Sequence, residues 1–163
     1  MKRIFITGMS GTGKISVMDE LRCRGFAAID TDYDDWCEQV ISNGSSEFVW
    51  REDRMRDLLT GRLTSPLFVS GCRLNQKKFY QYFDYKILLS APLYLMLERV
   101  TSRPTNPYGK SEGERAEICR NYEEVQPLLR NSADFEIDSS AMSVHEIADF
   151  LTKLASGDLP GDQ

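Results

Sequence analysis

The sequence of 163 residues lacks the features on which several classes of protein depend. It has one histidine and four cysteines, and the cysteines stand far apart without a Cys-x-x-Cys pair. This spacing argues against a disulfide framework or a zinc site, and it favours reduced thiols in a cytoplasmic protein. No apolar run approaches the length of a transmembrane helix, so we expect no membrane partner.

A net positive charge is also lacking. The chain has 20 Lys and Arg against 25 Asp and Glu, a formal net charge of −5, and no long basic block. This balance argues against a nucleic-acid partner.

Internal repeats, low-complexity linkers and signs of a second domain are lacking too. The length suffices for one domain with a substantial core. We therefore expect a single domain over 1–155 and a loose tail at 156–163.

The most specific stretch is Gly8-Met9-Ser10-Gly11-Thr12-Gly13-Lys14. It follows the apolar run Ile4-Phe5-Ile6 and precedes a helical pattern that starts near Ile15. Strand, glycine-rich loop and helix form the context that a phosphate-binding P-loop requires. Glycines let backbone N–H groups point at an anion, and the helix N-terminus adds partial positive charge. The sequence therefore predicts a nucleotide polyphosphate bound at residues 8–16, with Lys14 on its phosphates.

Short apolar strands alternate with helical patterns five times along the chain. The strands are expected at 3–7, 26–29, 67–69, 85–89 and 135–138. The helices are expected near 15–24, 33–43, 46–62, 75–83, 93–100, 111–130 and 143–155. This alternation predicts an α/β fold whose parallel sheet is joined by right-handed crossovers.

Taken together, these features resemble the small P-loop kinases, a group that includes adenylate, shikimate, gluconate and nucleoside kinases. The resemblance covers nearly the whole chain. Besides the P-loop, it rests on Asp30-Thr31-Asp32, Gly71, Arg99, Arg103 and Ile137-Asp138-Ser139-Ser140, which follow strands two to five. It implies a three-layer αβα fold with a five-stranded parallel sheet of order 2-3-1-4-5. It also implies two acceptor-binding helices at 33–62 and a mobile lid at 103–112.

The sequence departs from this family at two positions. Ile15 stands where a Ser or Thr usually contacts Mg²⁺, and Ser70 stands where adenylate kinases carry an Asp. Adenylate kinases also place a hydroxyl one residue later, which Ser16 resembles. The resemblance therefore implies a weak magnesium site, held through water by Asp30 and Ser16.

The resemblance also implies roles for the charged residues. Phosphoryl transfer requires positioning and charge neutralisation more than covalent chemistry. Lys14 and the loop amides are assigned to ATP, and Arg99 and Arg103 to the charge that develops on the transferred group. Asp32 is assigned the proton of the acceptor hydroxyl. The alternative for Asp30 and Asp32 is a solvated acidic turn that caps the next helix.

Further residues are candidates for contacts to the acceptor and to adenine. Arg51 and Arg54 lie one helical turn apart on the expected helix and could grip an anionic acceptor, or they are ordinary surface cations. Trp50 could stack on a base or belong to the core. By resemblance, Gly71 belongs to the acceptor site, and the Asp138-Ser139-Ser140 turn contacts adenine largely through its backbone. The alternative for that turn is capping of the last helix.

The sequence thus predicts an ATP-dependent kinase that phosphorylates a nucleoside, nucleotide or similar small metabolite, with ATP and Mg²⁺ as cofactors. The first alternative is an NTP-binding protein with weak or lost transfer activity, in which Ile15 and Ser70 mark lost metal binding. The second is a nucleotide-sensing protein whose lid region docks a partner. Acceptor residues vary most in this fold, so the sequence does not name the acceptor.

Overall fold

The computed structural model describes residues 1–104 and 106–159. Its strands are β1 (Arg3–Thr7), β2 (Ala27–Asp30), β3 (Cys37–Ser42), β4 (Ser45–Trp50), β5 (Leu67–Ser70), β6 (Tyr85–Ser90) and β7 (Phe135–Asp138). Its α-helices are α1 (Lys14–Cys23), α2 (Glu52–Thr60), α3 (Leu93–Ser102), α4 (Glu112–Glu124), α5 (Gln126–Ser132) and α6 (Val144–Ser156). A 3₁₀ helix covers Gln76–Tyr82.

Five strands form a parallel sheet in the order β2-β5-β1-β6-β7. The predicted five-stranded parallel sheet is confirmed. The numbering of the predicted order, 2-3-1-4-5, differs because the chain forms β3 and β4 between the second and third central strands. When the five central strands are counted alone, the topology is similar. Parallel strands end at one edge of the sheet, so the loops after all five meet there.

The sheet is buried on both faces, which explains why its strands read as continuous apolar runs. On one face, strand residues pack against α1 and α6, and the cluster includes Ile4, Ile6, Phe68, Leu89, Met18, Leu21, Ile147 and Leu151. On the other face, Phe5 and Val69 pack against Trp36, Trp50, Met55 and Phe79. Leu88 meets α3, α4 and α5 there through Met96, Val100, Ile118 and Leu129. This arrangement gives the predicted three layers.

The segment 33–62 differs from the prediction of two helices. It contains an antiparallel hairpin of β3 and β4, followed by α2. Asn43 and Gly44 form the hairpin turn, and both have positive φ, 51° and 77°. Positive φ at both central residues is the mark of a type I′ turn, for which Asn-Gly is the favoured dipeptide. Asn43-Gly44 therefore joins two strands and does not separate two helices, and Arg51 occupies the N-cap position of α2 without a side-chain cap hydrogen bond.

Two further boundaries differ. The helix predicted over 111–130 is broken, because α4 ends at Glu124 and α5 begins at Gln126 with a proline in its first turn. Proline lacks the N–H that would continue the preceding helix. The last helix runs to Ser156, so the predicted tail begins later, and its residues 160–163 lie outside the described part of the chain. No helix in the described ranges is long and apolar enough to cross a membrane.

Candidate active site

A cavity of ≈ 510 Å³ opens at the edge of the sheet where the central strands end. We call it the P-loop cavity. It brings together many of the residues that the sequence singled out: Ser10, Gly11, Gly13, Lys14, Ile15, Ser16, Asp30, Asp32, Arg99, Arg103 and Ser139. Its volume lies in the range of small-molecule sites.

The P-loop owes its shape to its glycines. A Cβ on Gly8 would collide with the carbonyl oxygen of Leu89, and one on Gly11 would come within 2.6 Å of the Met96 carbonyl oxygen. Gly11 and Gly13 also have positive φ, 84° and 97°. Thr12 is buried and donates its hydroxyl to the Met9 carbonyl at 2.8 Å. Gly8, Met9 and Thr12 therefore support the loop from behind rather than line the cavity.

Lys14 lies at the base of the P-loop cavity. Its Nζ donates to the carbonyl oxygens of Gly8 at 2.5 Å and Met9 at 3.0 Å. Burial lowers the pKa of Lys14, and the nearby Cys72 and Asp32 side chains act in the opposite direction. The ammonium thus lies inside the curled loop, where an incoming phosphate oxygen could replace the two neutral carbonyls with a stronger, charge-assisted contact.

Asp30 closes the bottom of the cavity at the end of β2. It is only 6% exposed, and burial raises the pKa of its carboxyl. Its Oδ1 accepts the backbone N–H of Asp32 at 3.0 Å, so the two residues form one tight turn. Ser70 stands opposite Asp30 in the strand register. The buried Ser70 hydroxyl has no hydrogen-bond partner among the described residues.

Arg73 is a site residue that the sequence analysis missed. Its Nη2 donates to Asp32 Oδ1 at 2.7 Å. Its Nε donates to Cys37 Sγ at 3.2 Å, and Cys37 in turn donates to the Thr31 carbonyl at the same distance. Arg73 follows the turn after β5 that contains Gly71, so its place at the carboxyl edge of the sheet was a usable signal.

Asp32 also lines a second cavity of ≈ 300 Å³, which we call the aromatic cavity. Its lining includes Tyr33, Trp36, Phe48 and Arg73, and Cys37 lies beside them. Asp32 is thus shared between a cavity built on the P-loop and one walled by aromatic rings. A carboxylate in this position can contact molecules in both.

Arg99 joins two loops on the opposite wall of the P-loop cavity. Its Nη1 donates to the Gly11 carbonyl at 3.1 Å and to Ser139 Oγ at 2.9 Å. Asp138 and Ser140 do not line the cavity. Instead, Asp138 Oδ1 accepts the backbone N–H of Ser140 at 2.8 Å and its hydroxyl at 2.6 Å, which lowers the pKa of Asp138. Of this turn, only Ser139 is in place to meet a ligand.

The segment predicted as a lid folds against α3. Arg103 lines the P-loop cavity and donates to the carbonyls of Asn106 at 3.3 Å and Tyr108 at 3.0 Å. Burial lowers the pKa of Arg103, with Tyr33 and Asp32 acting in the opposite direction. Within the predicted 103–112 range, residue 105 lies outside the described residues.

The structure contradicts the predicted stacking of Trp50 on a base. Trp50 has no exposed surface, and its Nε1 donates to Thr31 Oγ1 at 2.8 Å, so it cannot stack on a base. Gly71 also serves this packing, because a Cβ there would collide with Thr31 Oγ1 and the Trp50 ring. Trp50 therefore supports the turn after β2, and Gly71 lines neither the P-loop cavity nor the aromatic cavity.

Neither of the two arginines expected to grip an anionic acceptor lines the P-loop cavity or the aromatic cavity, although Arg54 lines a separate cavity of ≈ 520 Å³ with Arg22 and Asp30. Arg51 forms ion pairs with Asp35 at 3.0 Å and Glu38 at 3.4 Å, and it lines neither cavity. Arg54 lies 3.8 Å from the centre of the Trp36 ring and donates to the Asp34 carbonyl. Their predicted pairing on one helix is wrong because Arg51 precedes the first turn of α2.

The sequence matches the model of the AAA domain family over residues 4–120, and the chain belongs to this family. No curated protein matches it significantly.

The fold is similar to those of solved shikimate kinases. The enzyme from Acinetobacter baumannii, solved with shikimate, shares 19% identity at a TM-score of 0.64, with 98% of this chain and 96% of that one covered. The shikimate kinase from Bacteroides thetaiotaomicron shares 17% identity at a TM-score of 0.60, with 95% of this chain and 98% of that one covered. TT1252 from Thermus thermophilus shares 18% identity at a TM-score of 0.58, with 98% of each chain covered. The resemblance to small P-loop kinases is confirmed, and at these identities the structures show the fold alone.

Proposed function

We propose that the protein is an ATP-dependent kinase that transfers the γ-phosphoryl group to a hydroxyl of a small molecule. The observation that carries this proposal is the position of Asp32, which lines both the P-loop cavity and the aromatic cavity. A kinase needs its donor and acceptor on either side of one reacting centre. Here a carboxylate stands between two cavities, only one of which has a P-loop.

The P-loop cavity is assigned to ATP. The loop amides and the Lys14 ammonium bind the phosphates, because this ammonium lies buried inside the curled loop. Arg99 and Ser139 form the wall on the side of the turn after β7, where adenine is expected by resemblance. Arg103 reaches the cavity from the segment after α3 and neutralises charge on the transferred group.

The oxygen atoms around the loop fit a magnesium ion held through water. Ile15 offers no oxygen, and no cluster of three or more His, Cys, Asp or Glu that could hold a metal occurs among residues 1–104 and 106–159. Asp30 and Ser16 line the cavity, and the buried Ser70 hydroxyl stands unpaired opposite Asp30 in the described structure. Mg²⁺ accepts such oxygens and usually keeps several waters. When bound, it neutralises phosphate charge.

The acceptor is assigned to the aromatic cavity. In the reaction, the acceptor hydroxyl forms a bond to the γ-phosphorus while the bond from that phosphorus to the bridging oxygen of ADP breaks. The hydroxyl proton passes to the Asp32 carboxylate and then to solvent. Arg73 positions Asp32 through the contact at 2.7 Å.

One observation favours a second candidate, an NTP-binding protein with weak or lost transfer activity. Ile15 presents an apolar side chain to the P-loop cavity where a hydroxyl would contact the metal. Weak metal binding would leave nucleotide affinity largely intact, because Lys14 and the amides remain.

The test is ATP-dependent ADP release across a panel of nucleosides and hydroxylated metabolites, with calorimetric titration of ATP in parallel. Turnover that requires one acceptor supports the kinase. Replacing Lys14 with Met should lower ATP affinity about 10- to 100-fold, because a charge-assisted contact is lost. The matched control is Lys77→Met, an exposed lysine of the 3₁₀ helix. ATP binding without turnover favours the second candidate, and unchanged affinity in Lys14→Met rejects the site.

A further inference from the structure

We infer that the acceptor carries no negative charge and presents a flat ring to the aromatic cavity, so that it belongs to the nucleoside class rather than the nucleotide class. This inference rests on the proposed function, because it assigns the acceptor to the cavity that shares Asp32 with the P-loop cavity. It is drawn from the charges and the rings that line that cavity.

The arginine in the aromatic cavity is already paired. Arg73 is the only cation among the described lining residues, and its guanidinium contacts Asp32 at 2.7 Å. Asp35 adds a second carboxylate to the lining, and this carboxylate is paired with Arg51 at 3.0 Å. An anionic acceptor that bound Arg73 would break its ion pair with Asp32. The Asp32 carboxylate would then lie unpaired beside the negative charge of the acceptor. Like charges at such short range are costly in a partly buried site.

The surrounding segment strengthens this negative field. Residues 30–38 contain five carboxylates, Asp30, Asp32, Asp34, Asp35 and Glu38, and no Lys or Arg. Arg51, Arg54 and Arg73 each have a partner within the segment. Arg22 and Arg103 face it from the side of Asp30 and the P-loop cavity. The field around the aromatic cavity therefore disfavours the approach of an anion, although the P-loop cavity next to it is cationic.

The rings define the shape of the acceptor. Tyr33 is 46% exposed and Phe48 is 58% exposed, yet both line this small cavity, with the buried Trp36 beside them. Exposed aromatic faces at a cavity of ≈ 300 Å³ suit a planar ring that stacks on them and buries apolar surface. A nucleoside offers such a ring together with a hydroxyl for Asp32.

The hairpin provides a matched control for the stacking argument. Phe48 pairs with Gln39, and Ile41 lies two residues beyond Gln39, so Ile41 and Phe48 share one face of the hairpin. Ile41 is 83% exposed but does not line the aromatic cavity. Phe48→Ala and Ile41→Ala each remove an exposed apolar side chain from the same hairpin. Only the loss of Phe48 should weaken binding of the acceptor.

The experiment uses matched pairs of probes on the full chain, for example adenosine with AMP and thymidine with its 5′-monophosphate. Binding to protein saturated with a non-hydrolysable ATP analogue is measured by calorimetry, and ADP release with ATP is measured separately. We expect the preferred nucleoside to bind at least about 10-fold more tightly than its monophosphate, the factor that corresponds to ~1.4 kcal/mol. Phe48→Ala should weaken this binding about 10-fold, and Ile41→Ala should leave it unchanged.

The charge argument has its own variant. Asp35→Asn should narrow the preference for the nucleoside over its monophosphate by about 2- to 5-fold, because one carboxylate leaves the lining. Asp53→Asn removes a fully exposed carboxylate from α2 and should leave the preference unchanged.

Tighter binding or faster turnover of the monophosphate overturns the inference and leaves the proposed kinase standing. Binding of neither member of any pair also overturns it. A nucleoside that binds with the expected preference, but without ADP release, supports the inference and counts against the kinase activity. Failure of the ATP analogue to bind rejects the proposed function itself.

Discussion

The guanidinium of Arg73 lies 2.7 Å from the carboxylate of Asp32, at the wall shared by the P-loop cavity and the aromatic cavity. Both side chains keep part of their surface in solvent, 27% for Arg73 and 36% for Asp32. An ion pair this exposed contributes little to stability. Its effect is to fix the direction of one carboxylate, and positional effects of this kind appear in kcat rather than in ATP affinity.

Arg73 should therefore behave as a positioning residue. Arg73→Met is expected to lower kcat about 10-fold or more with the best acceptor, while the Kd for ATP stays within about 2-fold. Arg73→Lys should recover part of the loss, because it keeps the charge but not the planar donor geometry. Steady-state kinetics combined with calorimetry make the test. Equal losses of ATP affinity and kcat would instead indicate general damage to the fold.

Asp30 should destabilise the fold at neutral pH. Burial raises the pKa of this carboxyl above its unfolded value, so the folded chain binds the proton more tightly. Stability is therefore lost as pH rises from the unfolded pKa through the raised folded pKa. Asp30→Asn keeps an oxygen for the Asp32 N–H and removes the charge, so its Tm should exceed the parent's at pH 7.

The Tm gain of Asp30→Asn should shrink as the pH falls through the raised pKa of the parent carboxyl, because the parent then loses the buried charge as well. Thermal unfolding followed by circular dichroism across this range is the measurement. Asp53→Asn, which changes an exposed carboxylate, serves as the control. A variant less stable than the parent at pH 7 would show that the charge of Asp30 is compensated in the folded chain.

Ile15 should weaken magnesium binding without preventing nucleotide binding. Its side chain lines the P-loop cavity and offers no oxygen. Ile15→Ser should tighten the apparent Mg²⁺ affinity, read from the magnesium dependence of ATP-analogue binding, by roughly 10-fold. Ile15→Val, which remains apolar, is the matched control. If the curves of parent and Ile15→Ser coincide, the metal is held through water and carboxylates alone.

The segment after α3 should depend on Gly109 for its folded position. Gly109 has φ 97°, and a Cβ there would lie 2.7 Å from Val100 Cγ2. Gly109→Ala should raise hydrogen exchange over 106–111 in the nucleotide complex and should lower turnover, because Arg103 loses its support. Gly113→Ala in α4 is the control, since a Cβ there meets open space. Equal protection in both variants would show that Gly109 does not hold this segment in its folded position.

The P-loop and the central strands were readable from sequence because both are local patterns: glycines at fixed spacing and short apolar runs. The β3–β4 hairpin replaces the two expected helices for a local reason as well, since Asn43-Gly44 favours a type I′ hairpin turn and lies between the two helical patterns.

The remaining differences are tertiary. Arg73 and Asp32 are 41 residues apart in the chain, and only the meeting of β2 and β5 at one edge of the sheet brings them together. Trp50 is buried through Thr31 and Gly71, neither of which is near it in sequence. Contacts of this kind arise from tertiary packing and produce no periodic pattern in the sequence.

The most direct test of the central claim compares Asp32→Asn with the parent, using the acceptor that gives the fastest ADP release. In the proposed site Asp32 lies at the acceptor side of the P-loop cavity, so ATP affinity by calorimetry should stay within about 2-fold while kcat falls roughly 100-fold or more. A variant that binds ATP and keeps near-normal kcat would contradict the account, because Asp32 would then be only a residue of the turn after β2.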